Sequence, residues 1–389
     1  MTPPLGFRFA AVSAGIRKDG RIDLALATSD GPAVAAGVFT RNLVKAAPVE
    51  IAAQRVATGT ARAILVNAGC ANACTGQAGD AATVASTAAV ADALGVPMHT
   101  VLPASTGVIG ALLPADKIVR QSRALVDGLA VDGWDAFSRA ILTTDRWPKV
   151  ASAALTGGAS VLGIAKGAGM IHPDLGPPQA TMLAFLFTDA VVDRAALERA
   201  LGAAVDESFN SATVDGDTST NDTVIALASG KSGQRVTESD LAGALTEVCV
   251  ALARSMVSDG EGANHIAEIV VTGLPDHAGA RTVARTVATS LLVKTALFGR
   301  DANWGRILAA AGRAGVPFDP RRAAIRVNDV EIVRGGITLG PEAEARAAKI
   351  FAEPSYTVFL DLGDGVGRAR YFTSDLGHGY VDVNAGYRS

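Results

Sequence analysis

Thr181 is the residue whose setting could make it a nucleophile. It stands between a Gly- and Pro-rich stretch, Lys166 to Ala180, and an apolar run that starts at Met182. A threonine hydroxyl is a weak nucleophile, but a chain cut before it would leave a free α-amine beside the hydroxyl to act as base. Such an amine has a pKa of about 7.7–8.0, so a useful share is unprotonated at neutral pH. The cut would fall at the Ala180–Thr181 bond. Gly176-Pro-Pro-Gln179 just before it favours an exposed, extended loop, the kind of segment that is cut. Read without chemistry, the same segment is a loop entering a strand, with Thr181 as a β-branched first strand residue.

Other small-polar clusters sit in or next to turns: Ala104-Ser-Thr-Gly-Val-Ile-Gly110, Ile141-Leu-Thr-Thr-Asp145, Thr213 to Thr223, Ser258-Asp-Gly-Glu-Gly262, Arg300 to Arg306 and Val383 to Ser389. Singly, each reads as a turn or a helix cap. Ser-Thr-Gly could also supply oxyanion donors from a hydroxyl and backbone N–H groups. Asp-Gly-Glu-Gly could aim a carboxylate at a substrate ammonium. Several common signatures are missing. Gly230-Lys231-Ser232 has Ile225 where a phosphate-binding loop needs its first glycine, and neither G-x-S-x-G nor H-E-x-x-H occurs. His99, His172, His265, His277 and His378 lack metal-ligand spacing, so no metal is expected.

These clusters need elements to hold them. Ala63–Asn67 reads as a buried strand ending in a Gly-rich turn, and Asp80–Leu94 as an Ala-rich helix stopped by Gly95 and Pro97. Val161–Ala165 is a short strand. Met182–Val192 is a strand apolar on both faces, as a central strand is, and Asp193 caps a helix through Val205. Thr223–Ala228, Ile266–Val271, Ala324–Val333 and Thr357–Leu362 read as strands. Ser239–Val257 is a long amphipathic helix with Asp240 and Glu247 on its polar side, and Ala278–Phe298 is largely helical. Gly367–Thr373 alternates like a half-exposed strand. Strand-like and helix-like runs alternate throughout, which predicts an α/β fold with helices covering sheets in layers.

At 389 residues the chain can build two or more cores. A net charge of -3 with no Lys/Arg cluster argues against nucleic-acid binding. Cys70, Cys74 and Cys249 make an odd count, which fits a reducing compartment rather than a disulfide framework. The C-x3-C spacing of Cys70 and Cys74 has no second pair, so both are expected to be buried small residues. No secretory leader and no apolar run of the ~18 residues a membrane span needs is visible, and a soluble cytoplasmic protein is expected.

Taken together, the clusters resemble the ornithine acetyltransferase family, also called bifunctional glutamate N-acetyltransferase. The resemblance rests on Phe39-Thr-Arg-Asn-Leu-Val-Lys-Ala-Ala-Pro-Val49, Asn67-Ala-Gly-Cys-Ala-Asn-Ala-Cys-Thr-Gly76, Lys166-Gly-Ala-Gly-Met170, Ala180-Thr-Met-Leu-Ala-Phe185 and Ser290-Leu-Leu-Val-Lys-Thr-Ala-Leu-Phe-Gly299. It covers the chain from about Gly6 to Ser389 in the family's order. It implies a layered α-β-β-α sandwich of the ornithine acetyltransferase/DmpA-like type, with a smaller C-terminal α/β portion. It implies self-cleavage between Ala180 and Thr181 into an α chain, 1–180, and a β chain, 181–389, that assemble as an α2β2 heterotetramer.

The implied reaction passes acetyl from N2-acetyl-L-ornithine to L-glutamate through acetyl-Thr181 in arginine biosynthesis. It needs no cofactor, and acetyl-CoA is left open as a second donor. The resemblance assigns the oxyanion hole to Thr106 and Gly107, and substrate contacts to Thr143, Lys166, Thr181, Glu261, Asn384 and Ser389. Lys166 would pair with a substrate carboxylate and Glu261 with an ammonium. Two departures stand out. Gly176-Pro-Pro-Gln179 is inserted where family members run straight to Ala-Thr, and Ser389 replaces the Thr that many members carry. A rival reading keeps the fold and gives the acyl group to water, as in an N-terminal-nucleophile amidase or peptidase. Another is an acetyltransferase paralogue serving secondary metabolism, and a third is an uncleaved relative without activity.

Overall fold

The computed structural model describes residues 2–176 and 182–386. They form two compact units, one reaching to Asn210 and including Asp217–Leu252, the other comprising Ser211–Gly216 and the chain from Ala253 onward. The α/β expectation holds, with a separate sheet in each unit.

The strands of the first unit are β1 (Phe7–Val12), β2 (Leu24–Thr40), β3 (Thr60–Cys70), β4 (Val101–Val108), β5 (Lys149–Ala154), β6 (Ser160–Lys166), β7 (Leu175–Gly176) and β8 (Leu183–Thr188). After β9 (Ala212–Thr213), which belongs to the second unit, β10 (Thr223–Ala228) completes the set. The strand order is β4-β3-β2-β10-β8-β6-β5, with β1 and β7 also paired to β2. Its helices are α1 (Ala47–Val56), α2 (Gly76–Leu94), α3 (Ala115–Asp127), α4 (Trp134–Ala140), α5 (Arg194–Glu207) and α6 (Glu238–Ser258), with the unit boundary inside α6.

Local chemistry accounts for several of these elements. Gly95 ends α2 in the left-handed conformation that glycine adopts at no steric cost. The Asp193 carboxylate accepts from the Ala196 N–H at 2.8 Å and starts α5. All six residues of β8 are buried, because it runs parallel to β10 on one side and antiparallel to β6 on the other. Phe7, Phe9, Phe137, Phe185 and Phe187 meet edge to face in the core beside it.

The 17-residue strand β2 has no counterpart in the sequence reading, and it runs through Asp30-Gly-Pro32 in its middle. The chain passes there with an irregularity against β3 between Thr28 and Ala33, where a proline is tolerated. By length and composition α6 could cross a membrane, but half of its apolar window is buried inside the protein, as in a core helix.

The second unit holds β9 and β11 (Ile266–Gly273), β12 (Ala324–Val327), β13 (Val330–Arg334), β14 (Ile337–Thr338), β15 (Ser355–Asp361) and β16 (Gly365–Ser374), in the order β14-β13-β12-β15-β11-β16-β9. Helices α7 (His277–Ala288), α8 (Leu291–Phe298), α9 (Trp304–Gly312), α10 (Pro341–Ile350) and α11 (His378–Ala385) accompany it. The expected helix over 278–298 is two helices. Thr289 turns its hydroxyl back to the Arg285 carbonyl at 2.8 Å, and Ser290 is extended, so the ladder restarts at Leu291. The expected strand over 324–333 is a hairpin. Val327 pairs with Val330, and Asn328 takes a φ of 48°, which asparagine tolerates in a two-residue turn.

Candidate active site

Thr106 and Gly107 lie at the end of β4, opposite the Gly-rich end of β3. The register slips there, with Cys70 facing both Thr106 and Val108. Gly107 has a φ of 130°, and a Cβ on it would collide with the backbone of Gly69 and Cys70. Only glycine fits this close approach. Buried side-chain amides fix the turn. Ser105 donates to Asn67 Oδ1 at 2.6 Å, Asn67 donates to the Cys70 carbonyl at 2.9 Å, and Asn221 donates to the carbonyls of Ala71 (2.6 Å) and Ser105 (2.9 Å). A small-polar motif that reads as a loop is thus a rigid frame for the Thr106 hydroxyl.

Lys166 ends β6 and is 8% exposed. Its ammonium donates to Thr143 Oγ1 at 2.7 Å and to Thr106 Oγ1 at 3.3 Å. Three expected site residues from distant parts of the sequence are therefore in hydrogen-bond contact. An ammonium can only donate, so both hydroxyl oxygens accept and their hydrogens are free to point elsewhere. Behind Lys166 lies the carboxylate of Asp145, 3.7 Å from its Nζ. The Asp145 carboxylate also accepts from Lys149 Nζ at 2.6 Å, from the Gly167 N–H at 2.6 Å and from the Thr143 N–H at 3.0 Å. Burial alone would push its pKa up. The ammoniums of Lys166 and Lys149 and the hydrogen bonds outweigh burial and hold it below the usual carboxylate range.

In the second unit, Glu261 follows α6 in the turn Asp259 to Gly262. Gly262 has a φ of 70°, and a Cβ there would strike the backbone of Gly379 and Tyr380 at the start of α11. That close approach lets Asn384 of α11 donate to Glu261 Oε2 at 2.9 Å. Glu261 and Asn384 are therefore paired. Ala180, Thr181 and Ser389 lie outside the described residues.

Two residues of the site escaped the sequence reading. Asp145 was visible only as the last residue of a small-polar cluster, and Lys149 gave no signal, being a lone lysine after Trp147-Pro148. Cys74 corrects an expectation. Cys70 and Cys249 are buried, but Cys74 is exposed, because at a φ of 58° it sits in a turn rather than in a packed element. Among the described residues no group of three or more His, Cys, Asp or Glu side chains is arranged to hold a metal ion.

The ArgJ family model matches residues 8–389. The arginine biosynthesis bifunctional protein ArgJ of Geobacter sulfurreducens is 48% identical over 393 residues, covering 99% of each chain. The protein of the same name from Syntrophotalea carbinolica is 47% identical over 392 residues, again covering 99% of each. Among solved structures, arginine biosynthesis bifunctional protein ArgJ from Bacillus halodurans is 37% identical with a TM-score of 0.50, over 52% of this chain and 98% of that chain.

Proposed function

The chain belongs to the ArgJ family and is an arginine-biosynthesis acyltransferase, and from that premise we propose that it transfers acetyl from N2-acetyl-L-ornithine to L-glutamate through an ester on Thr181. The observation that carries this reading is the contact of Lys166 with Thr106 and Thr143 at the end of β6. The register partner of Lys166 is Leu183, two residues along the chain from Thr181.

On this reading the chain first cuts itself between Ala180 and Thr181, and the fragments assemble as α2β2. The freed α-amine takes the proton of the Thr181 hydroxyl as Oγ1 attacks the acetyl carbonyl carbon. The Thr106 hydroxyl and the Gly107 N–H receive the developing oxyanion. The carbonyl C–N bond then breaks, and the proton held by the α-amine goes to the leaving nitrogen, giving free ornithine and acetyl-Thr181. Glutamate, its amine unprotonated, attacks the ester, and the proton passes back to Thr181 Oγ1 as the C–O bond breaks. Lys166 holds a substrate carboxylate, Thr143 fixes its orientation, and Glu261 holds an ammonium. Asn384 and Ser389 line the pocket.

Intact mass spectrometry with a donor panel tests this. The wild-type protein should give two fragments meeting at 180/181, and glutamate should be acetylated when acetylornithine is supplied. An acetyl-CoA arm decides whether that donor also serves. Thr181→Ala should remain one chain of 39.4 kDa and lose the transfer. An uncut wild-type chain, or full transfer by Thr181→Ala, would overturn the reading. Acetate release that does not depend on glutamate would favour a hydrolase instead.

A further inference from the structure

Asp145 and Lys149 are buried charges that the reaction scheme above does not use. Both side chains are 0% exposed and their ion pair is 2.6 Å long, whereas the side chain of Lys166, on the other side of Asp145, is 9% exposed. Neither residue can touch a substrate from there. Burying an ion pair is costly, and a well-packed hydrophobic pair is often at least as stable, so stability alone does not account for this one.

The carboxylate of Asp145 does two things at once. It accepts from the backbone N–H groups of Thr143 and Gly167, which flank the site from two loops, and it faces the Lys166 ammonium. A carboxylate alone behind Lys166 would cancel the charge that a substrate carboxylate needs. Lys149 answers that problem. Its ammonium lies 2.6 Å from Asp145 Oδ1, while Lys166 faces Oδ2 at 3.7 Å, so the one carboxylate is shared between two ammoniums. The three charged side chains sum to one positive charge, and Lys166 is the member nearest solvent.

We propose that Asp145 and Lys149 are positioning residues: Asp145 fixes the geometry of Thr143 and Lys166, and Lys149 offsets the Asp145 carboxylate so that the cluster keeps a net positive charge toward the carboxylate of the amino-acid substrates. The proposal rests on the reading that Lys166 receives that carboxylate.

The test compares Lys149→Met with the double variant Asp145→Asn/Lys149→Met by steady-state kinetics and intact mass. In Lys149→Met, Asp145 is left to neutralise Lys166. KM for glutamate and for N2-acetylornithine should rise tenfold or more, with kcat changed less than threefold and cleavage at 180/181 intact. The double variant leaves Lys166 with its full charge and no orphaned carboxylate, so KM should fall from the single-variant value, while kcat should drop because Thr143 and Lys166 lose the Asp145 anchor. The carboxamide analogue of the donor should not distinguish wild type from Lys149→Met. Unmoved KM values in the single variant, or a double variant with KM no lower than the single, would overturn the proposal, as a purely structural role would make the double at least as poor. Should Lys149→Met not fold, Lys149→Gln with its Asp145→Asn partner makes the same comparison. If no Lys149 variant folds, Lys149 belongs to the core and the proposal fails. A failure of the Thr181 reading is distinguishable: it would appear as turnover that survives Thr181→Ala, while KM in the Lys149 variants is read independently.

Discussion

Thr106 shows what a single hydroxyl can do in a fixed frame. Its oxygen accepts from the Lys166 ammonium at 3.3 Å, which turns its hydrogen away from Lys166 and strengthens it as a donor. Thr106→Val keeps the β-branched shape and removes that donor together with one of the acceptors of the Lys166 ammonium. Removing one oxyanion donor costs roughly 10²–10³ in kcat, so steady-state kinetics on the cleaved variant should show a loss of that size with KM much less affected. A kcat within threefold of wild type would remove Thr106 from the oxyanion hole. Thr106 and Gly107 were singled out in the sequence because Ser-Thr-Gly carries donors in its residue types and the family resemblance points to it. Asp145 was half legible, as a polar residue in a turn. Lys149 was not legible, because its role depends on what lies 2.6 Å from its tip and nothing in its neighbours along the chain announces that.

Helix α8 is pinned to β16 by another buried lysine. Lys294 donates to Thr373 Oγ1 at 3.0 Å and to the Ser374 carbonyl, and it is 2% exposed. Burial pushes its pKa down to about 8, against the opposing pull of the Asp375 and Asp215 carboxylates. The sign of the pH effect follows. Between about pH 8 and the unfolded value of about 10.4, the unfolded chain binds a proton that the folded protein has released, so this contribution to stability grows as pH rises through that window. Denaturant melts should show wild type gaining on Lys294→Met by up to about 3 kcal/mol from pH 8 to pH 10.5, with no comparable change from pH 6 to pH 8. A difference that stays flat above pH 8 would show that Lys294 keeps its proton. Elements with strong end signals, such as α2 and α5, were readable from sequence. The break at 289–290 and the Asn328-Asp329 turn were not, because the flanking runs are apolar enough to read as continuous.

The proposed cleavage and the fold divide the chain at different places. The compact units part near residues 210 and 252, whereas the expected cut at 180/181 falls inside the first unit. After such a cut β8 remains inserted between β10 and β6, with six residues in register on each side and its whole length buried. The two fragments should therefore co-elute in native size-exclusion chromatography and separate only in strong denaturant. Native separation would show that the sheet opens on cleavage.

The sequence by itself determined the family and pointed to Thr181 as the nucleophile to be tested, because both rest on short motifs whose chemistry is local. The tertiary structure decided which motifs meet. Thr106 and Lys166 belong to strands five steps apart in the sheet, roughly 24 Å if it were flat, yet their polar atoms are 3.3 Å apart. The twist and curvature that accumulate along a sheet bring the two strand ends together, with the long Lys166 side chain spanning the remainder. Neither is written in any periodicity, because strand order and curvature come from packing among residues far apart in the chain. The buried Asp145–Lys149 pair is a product of the same packing.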